Sequence, residues 1–389
     1  MSLRRTVRFR VGFSVEFLSV GGSEIFSNVK TSVWDVGRWI EEFRRVVGLQ
    51  DAFCDYYDYL EAALRVGKTS FLAVERVVVV DGRVEPAILG SSVKGVVRHA
   101  IDKLFLEQIV ADRVKVLSLR EDFVGEVKRL LKSARYRGVY ERVRKAVKGV
   151  LKVGDLDEDV VDRVITMYFL YVSPYSCLAP SLDVLSCGLP LHVERLALFK
   201  KLNRLLVGQK VGGCVDVGGE IHCLPLDRLC VTCTLFGCSG VSSLVRFSTF
   251  RIASECQSAL ITFNRVFAGD RFVSPFTLEV LGFKQPVYVR GVVSVDVDPD
   301  RIKHLLSLSY ALYARHSVSV GGVTLNVAEH VEKLFSCDGK TSCFVEVVES
   351  LYENVLRAAF EALKQGIVGF GHRTRLGFGR VLDYTISVE

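Results

Sequence analysis

From Thr6 to Phe17 the chain alternates between polar and apolar. Val7, Phe9, Val11, Phe13, Val15 and Phe17 are apolar, while Thr6, Arg8, Arg10, Ser14 and Glu16 are polar. A period of two puts the apolar set on one face of a strand, so this segment covers a core on one side only. Such a strand needs partners, and the candidates lie far away in sequence. Strand-like stretches recur at FLAVERVVVV (71–80), LVRFSTFRI (244–252), SALITFNRVF (258–267), RFVSPFTLEVL (271–281) and PVYVRGVVSVDV (286–297), and again in the closing GRVLDYTISVE. Helical patterns interrupt them at 33–49, 55–66, from about 107 to 170, near 301–315 and at 347–365. In the last of these, Leu351, Val355, Leu356, Ala359, Phe360 and Leu363 share one side. Strands and helices mixed in this order predict an α+β fold.

A chain of 389 residues with 49% hydrophobic and 24% charged residues is globular. Its net charge of +7 suits a nucleic acid or another acidic partner. The excess is concentrated at 128–152, with ten Lys/Arg against the single acid Glu141, and Tyr136 and Tyr140 among them. An RNA groove, a solvated face and a docking surface all fit that composition. No apolar run reaches the roughly 18 residues of a membrane helix. The N-terminus lacks the apolar region of a signal peptide, so a cytoplasmic location is expected. Eleven cysteines in such a chain point to metal rather than to a disulfide framework. Scarce Met beside abundant Val and Arg fits a thermophile, where intracellular disulfides occur, and Cys337 and Cys343 are a candidate pair.

Three segments carry chemistry. In AILGSSVKGVVRHAID (87–102), Val93, Val96, Val97, Ala100, Ile101, Leu104 and Phe105 form a helical stripe facing a core. Ser91 or Ser92 is placed to cap this helix, and its free N–H groups with the dipole attract an anion such as phosphate. Lys94 and Arg98, one turn apart, are placed to reach the same anion. Gly90 and Gly95 admit another backbone.

GFGHRTRLGFGRV (369–381) has four glycines, three arginines, a histidine and no acid, a composition that cradles phosphate. It lacks Gly-Lys-Ser/Thr and is no Walker loop. In HCLPLDRLCVTCTLFGC (222–238), Cys230 and Cys233 form a Cys-x2-Cys knuckle. With His222 and Cys223 they make up a closed, structural zinc site, the fourth ligand being open among His222, Cys214 and Cys238. Buried free thiols or a disulfide are the alternative.

These three motifs, in this order, resemble those of the RAMP superfamily of CRISPR effector proteins. ILGSSVKGVVR resembles its Pro-Gly-Ser-Ser-x-Lys-Gly-x-x-Arg motif, with Leu89 in place of proline. CVTCTLFG and RTRLGFGRV resemble the knuckle and the C-terminal glycine-rich loop of backbone subunits of type III complexes. The resemblance implies a single RRM-like (ferredoxin-like) domain over 1–389. Its core would use about 6–18, 71–106, 244–300 and 347–389, with insertions at 33–66 (helical), 107–205 (helical, basic) and 208–240 (zinc loop). It also implies a β-hairpin thumb in ALITFNRVFAGDRF, with Asn264 and Arg265 near its RNA-facing part.

The implied function is a CRISPR RNA-binding subunit of a type III interference complex in antiviral defence. Its partners would be CRISPR RNA, target RNA and other subunits, with no membrane. Guide phosphates would be held by Ser91, Ser92, Lys94, Arg98, His372, Arg373, Arg375 and Arg380. The alternative is a RAMP-type endoribonuclease cutting target or precursor RNA. Some relatives cut with an aspartate whose position here matches Glu75, a departure that leaves enzymatic activity open.

Overall fold

The computed structural model describes residues 5–15, 24–27, 70–72, 76–80, 83–114, 121–151, 158–178, 187, 197–198, 200–202, 214–217, 220–223, 229–252, 258–263, 267–268, 271–272, 276–281, 286–312, 316–337, 340–370 and 379–389. In chain order these residues form β1 (Arg5–Val15), β2 (Glu24–Ser27), β3 (Ser70–Leu72), β4 (Arg76–Val80) and β5 (Arg83–Ile88). Helices α1 (Gly90–Val114), α2 (Glu121–Leu131), α3 (Arg137–Leu151) and α4 (Glu158–Met167) follow, the last running into a π-turn at Tyr168–Val172. Then come β6 (Cys214–Val217), β7 (Glu220–Cys223), α5 (Val231–Phe236), β8 (Val245–Phe247), β9 (Phe250–Ile252) and β10 (Ser258–Phe263). Next are β11 (Phe267–Ala268), β12 (Arg271–Phe272), β13 (Phe276–Leu281) and β14 (Val287–Val297). The chain finishes with α6 (Pro299–Ser307), β15 (Val318–Val320), β16 (Val323–Leu325), α7 (Val327–Ser336), α8 (Thr341–Lys364) and β17 (Val381–Val388).

The fold is α+β. Its main sheet runs β17-β1-β14-β9-β5-β4, with β8 also paired to β14. The first and last strands are neighbours, antiparallel from Phe9 opposite Val388 to Val15 opposite Val381. The alternation expected in β1 holds over the described residues: Val7, Phe9, Val11, Phe13 and Val15 are buried, and Arg8 and Arg10 are exposed. Long-range pairing of chain ends closes the sheet where the sequence offered only a one-faced strand. β10 and β13 form the hairpin expected for the thumb, paired from Ser258–Leu281 to Phe263–Phe276, with β11 and β12 pairing as a shorter ladder. The helical stretch 33–66 lies outside the described residues.

The chain divides into two compact units. One comprises Met1–Val7, Val97–Arg246 and Ser294–Ala362; the other comprises Arg8–Val96, Phe247–Val293 and Leu363–Glu389. In the first, the basic segment differs in character from an RNA groove. Tyr136 and Tyr140 are interior residues at 1% and 3% exposure, not stacking platforms. The Tyr140 hydroxyl donates to Asp162 at 2.6 Å, and Lys132 lies 4.9 Å over the Tyr140 ring. The acids missing from 128–152 come from α4. Lys128 pairs with Asp162 at 2.5 Å, while Arg144 and Lys148 both pair with Glu158. α3 therefore packs its tyrosine stripe inward and neutralises several cations locally. Cys337 and Cys343, at the end of α7 and the start of α8, are disulfide-bonded.

Candidate functional site

The first unit holds a buried group of four thiols. Cys177, Cys187, Cys230 and Cys233 place their sulfurs within 4.8 Å of one another, all four buried. Cys177 lies in the turn after the π-turn, and α5 supplies the knuckle, with Cys230 just before it and Cys233 in its first turn. Backbone bonds join these elements: Val231 N–H donates to Pro174 O and Thr232 N–H to Tyr175 O, each at 3.0 Å. The Cys230 N–H points at the Cys187 sulfur, 3.4 Å away. Leu178, directly after Cys177, has φ of +51°, a left-handed conformation that a leucine adopts only under constraint.

The chemistry of the donors fits a soft or borderline divalent cation. Metal–thiolate bonds of about 2.3 Å in a tetrahedron put sulfurs about 3.8 Å apart. Cys177 and Cys233 sulfurs are 3.6 Å apart, which matches this edge. Hydrogen bonds from Cys187 and Cys230, with burial, push the Cys177 thiol up, and Cys233 is likewise raised, Cys177 being its largest influence. A cation binding here must therefore displace protons.

Half of the ligand set expected from sequence, Cys230 and Cys233, is in this group. The other two places are filled by Cys177 and Cys187. His222 and Cys223 lie on β7, opposite Val215 and Cys214 of β6. The sequence signal for Cys177 and Cys187 is weak because neither stands at knuckle spacing from another cysteine; folding alone brings them together.

Arg98 requires a second correction. Its expected partner was a guide phosphate, yet it is 7% exposed. It donates to Gly237 O at 2.6 Å and to the Cys233 sulfur at 3.0 Å, and its Nε is 3.8 Å from Asp102. Burial alone would lower the guanidinium pKa, but Cys233, Asp102, Cys177 and Cys230 reverse the sign and raise it. Burial pushes Asp102 up to about 6 against the pull of Arg98 and of Ser176, whose hydroxyl donates to it. A cation held by four thiolates carries excess negative charge, and Arg98 is the buried positive group that offsets it.

The second unit holds the front of the Gly-Ser-Ser motif. α1 begins at Gly90, one residue before either serine, with the Leu89 carbonyl accepting from Ser92 and Val93 N–H groups. Ser91 and Ser92 thus sit exposed in the first turn rather than capping it, and Lys94 is half-buried. Gly90 is where a side chain has no room: a Cβ would lie 2.1 Å from Phe247 O and 2.3 Å from Ser248 O. A Cβ on Gly95 would meet nothing within 4 Å.

The glycine-rich segment is anchored at its ends. Phe370 N–H donates to Gly379 O at 2.9 Å, and Gly379, at φ +67°, has no space for a Cβ against the Phe370 backbone. Phe370 stacks on Phe13, with centroids 4.6 Å apart, and Phe13 lies 6.1 Å from Phe250. Phe250 in turn faces Ile88, two residues before Gly90, across the β5–β9 ladder. Both motif anchors therefore converge on the Phe13–Phe250 cluster. Arg380 is exposed, with its Nε donating to the Lys364 carbonyl at 3.0 Å at the end of α8. His372, Arg373, Arg375, Asn264, Arg265 and Glu75 lie outside the described residues.

No helix among the described residues is long and apolar enough to cross a membrane. No curated protein matches the sequence. A solved chain described as "CRISPR RNA-guided surveillance complex, pre-nicking" aligns at 11% identity with a TM-score of 0.27, covering 82% of this chain and 74% of that one. The family model described as "RAMP superfamily" matches residues 63–382, a span that takes in all three motifs almost to their last residue, and the chain belongs to that superfamily.

Proposed function

We propose that this chain is an RNA-binding subunit of a type III CRISPR interference complex, gripping the guide through its phosphates. One observation carries the reading: the Gly-Ser-Ser helix start and the base of the glycine/arginine loop are anchored on one aromatic cluster, Phe13, Phe250 and Phe370. That anchoring aims the loop's arginines and the exposed Ser91, Ser92 and Lys94 at a common sugar–phosphate chain. Contacts of this kind read no bases, which suits a guide of any sequence. The β10–β13 hairpin is the thumb in this reading, and the sheet with α1 and α8 the RRM-like core. The four-cysteine centre holds structural zinc: four protein ligands leave no open position for a reacting water.

Filter binding of single-stranded RNA across a salt series tests the proposal. Wild-type binding should weaken steeply with salt, and Lys94→Ala should cost roughly tenfold in affinity at low salt. It should also flatten the log–log salt slope by about 0.7, as expected for one lost contact to a single strand. Salt-insensitive binding, or none, overturns it.

A further inference from the structure

The open face of the main sheet in the second unit carries an arrangement that its stability does not explain. Arg290 on β14 stands directly opposite Arg251 on β9. Directly paired residues on antiparallel strands have Cβ atoms about 5 Å apart, and like charges placed so repel. Arginine cannot relieve this by losing its proton. Both side chains are exposed.

The same row continues across the sheet to a gap and a hydroxyl. Gly12 of β1 is the next position beside Arg290, since its Cβ would lie 3.8 Å from Arg290 Cγ. Thr385 of β17 is Gly12's register partner, and the same added Cβ would lie 2.9 Å from its hydroxyl. Gly12 therefore leaves bare backbone between two cations and a hydroxyl. The neighbouring row pairs Arg10 with Ser387. These residues, with Ser248 and Thr249, line an open cleft of about 640 Å³. The single acid among its lining residues is Glu389, which pairs with Arg10 at 2.5 Å. Tyr288, two residues before Arg290 on the same face of β14, is 49% exposed.

We infer that this cleft is a second RNA site, in which the facing pair Arg251 and Arg290 clamps one backbone phosphate and Tyr288 stacks a base beside it. Charge complementarity selects the occupant. Facing guanidiniums lower their repulsion by sharing a phosphate through forked hydrogen bonds. An aromatic next to such a pair is the arrangement that holds single strands without reading sequence. Hydroxyls of Thr385 and Ser387 reach further phosphate or ribose oxygens. The inference rests on the RNA-binding reading above but uses none of the three motif segments, so the two fail separately.

Full-length wild type, Arg251→Gln, Arg290→Gln, the double variant and Lys94→Ala are compared on a short mixed-sequence single-stranded RNA. Each single Gln variant should keep or raise the melting temperature at low salt, because it removes the like-charge pair. Each should also lose about tenfold in RNA affinity, and the double variant should flatten the salt slope by about 1.4. Unchanged RNA affinity in both Gln variants, with Lys94→Ala still weakened, overturns the inference and leaves the proposed function standing. Wild type that binds no RNA overturns both. A second readout needs no variant: photocrosslinking of wild type to 4-thiouridine RNA should label the peptide that contains Tyr288, and labelling confined to other segments overturns the inference.

Discussion

Gly90 and Gly95 stand five residues apart in one helix, and the same substitution should act on them with opposite signs. At Gly90 a new Cβ overlaps Phe247 O at 2.1 Å, Ser248 O at 2.3 Å and Phe247 C at 2.7 Å. All three are backbone atoms, so no rotamer change can clear them. Relief requires moving α1 away from the segment between β8 and β9, with loss of packing. Overfilling a packed site costs about 1–3 kcal/mol, and a backbone obstruction belongs at the upper end. A loss of about 3 kcal/mol lowers the melting temperature by roughly 6–12 °C at the 2–4 °C per kcal/mol of a unit this size. At Gly95 the Cβ meets nothing, and alanine in an exposed helix gains about 0.8–1 kcal/mol over glycine. Gly95→Ala should therefore raise the midpoint by roughly 2–4 °C. Thermal and urea unfolding of the two variants, run side by side, measure both. Gly90→Ala within about 0.5 kcal/mol of wild type would refute the close approach, and with it the shared anchoring of the two motifs.

Purified protein should carry close to one metal ion per chain by elemental mass spectrometry; Cys177→Ser and Cys187→Ser should lose it, while His222→Ala and Cys223→Ser should retain it. The ion should be released with falling pH as the thiolates take up protons, since binding displaces those protons in the first place. Tyr136→Ala should destabilise the first unit by about 3–4 kcal/mol, the range for emptying a large buried ring, without altering the RNA salt slope. A reduced slope with stability intact would instead place that ring on RNA.

Much of the fold was legible where one residue's environment repeats along the chain. The alternation in β1 and the stripe of Val93, Val97, Ala100, Ile101, Leu104 and Phe105 in α1 announced their buried faces directly. The site was legible where spacing is local: Cys230 and Cys233 come from one turn of chain, whereas Cys177 and Cys187 join them only through folding. Arg98 was misjudged because charge off an apolar stripe ordinarily means solvent. Its side chain turns instead to Cys233 and the Gly237 carbonyl, and nothing within one helix reveals that. Tyr136 and Tyr140 misled for the converse reason, since their acidic neighbours arrive from α4, beyond the basic run. The cross-strand pair of Arg251 and Arg290 could not be read from sequence at all, because register is a property of two strands.

The pinch between Phe370 and Gly379 separates what must stay constant from what is free to vary. One hydrogen bond, a left-handed glycine and a stacked ring fix the two ends of the intervening stretch, so its length enters the stability of the unit only through chain closure. Doubling that length costs about 0.6 kcal/mol. Relatives are accordingly free to exchange their arginine-bearing inserts between these two bookends, tuning grip on nucleic acid without renegotiating the sheet beneath.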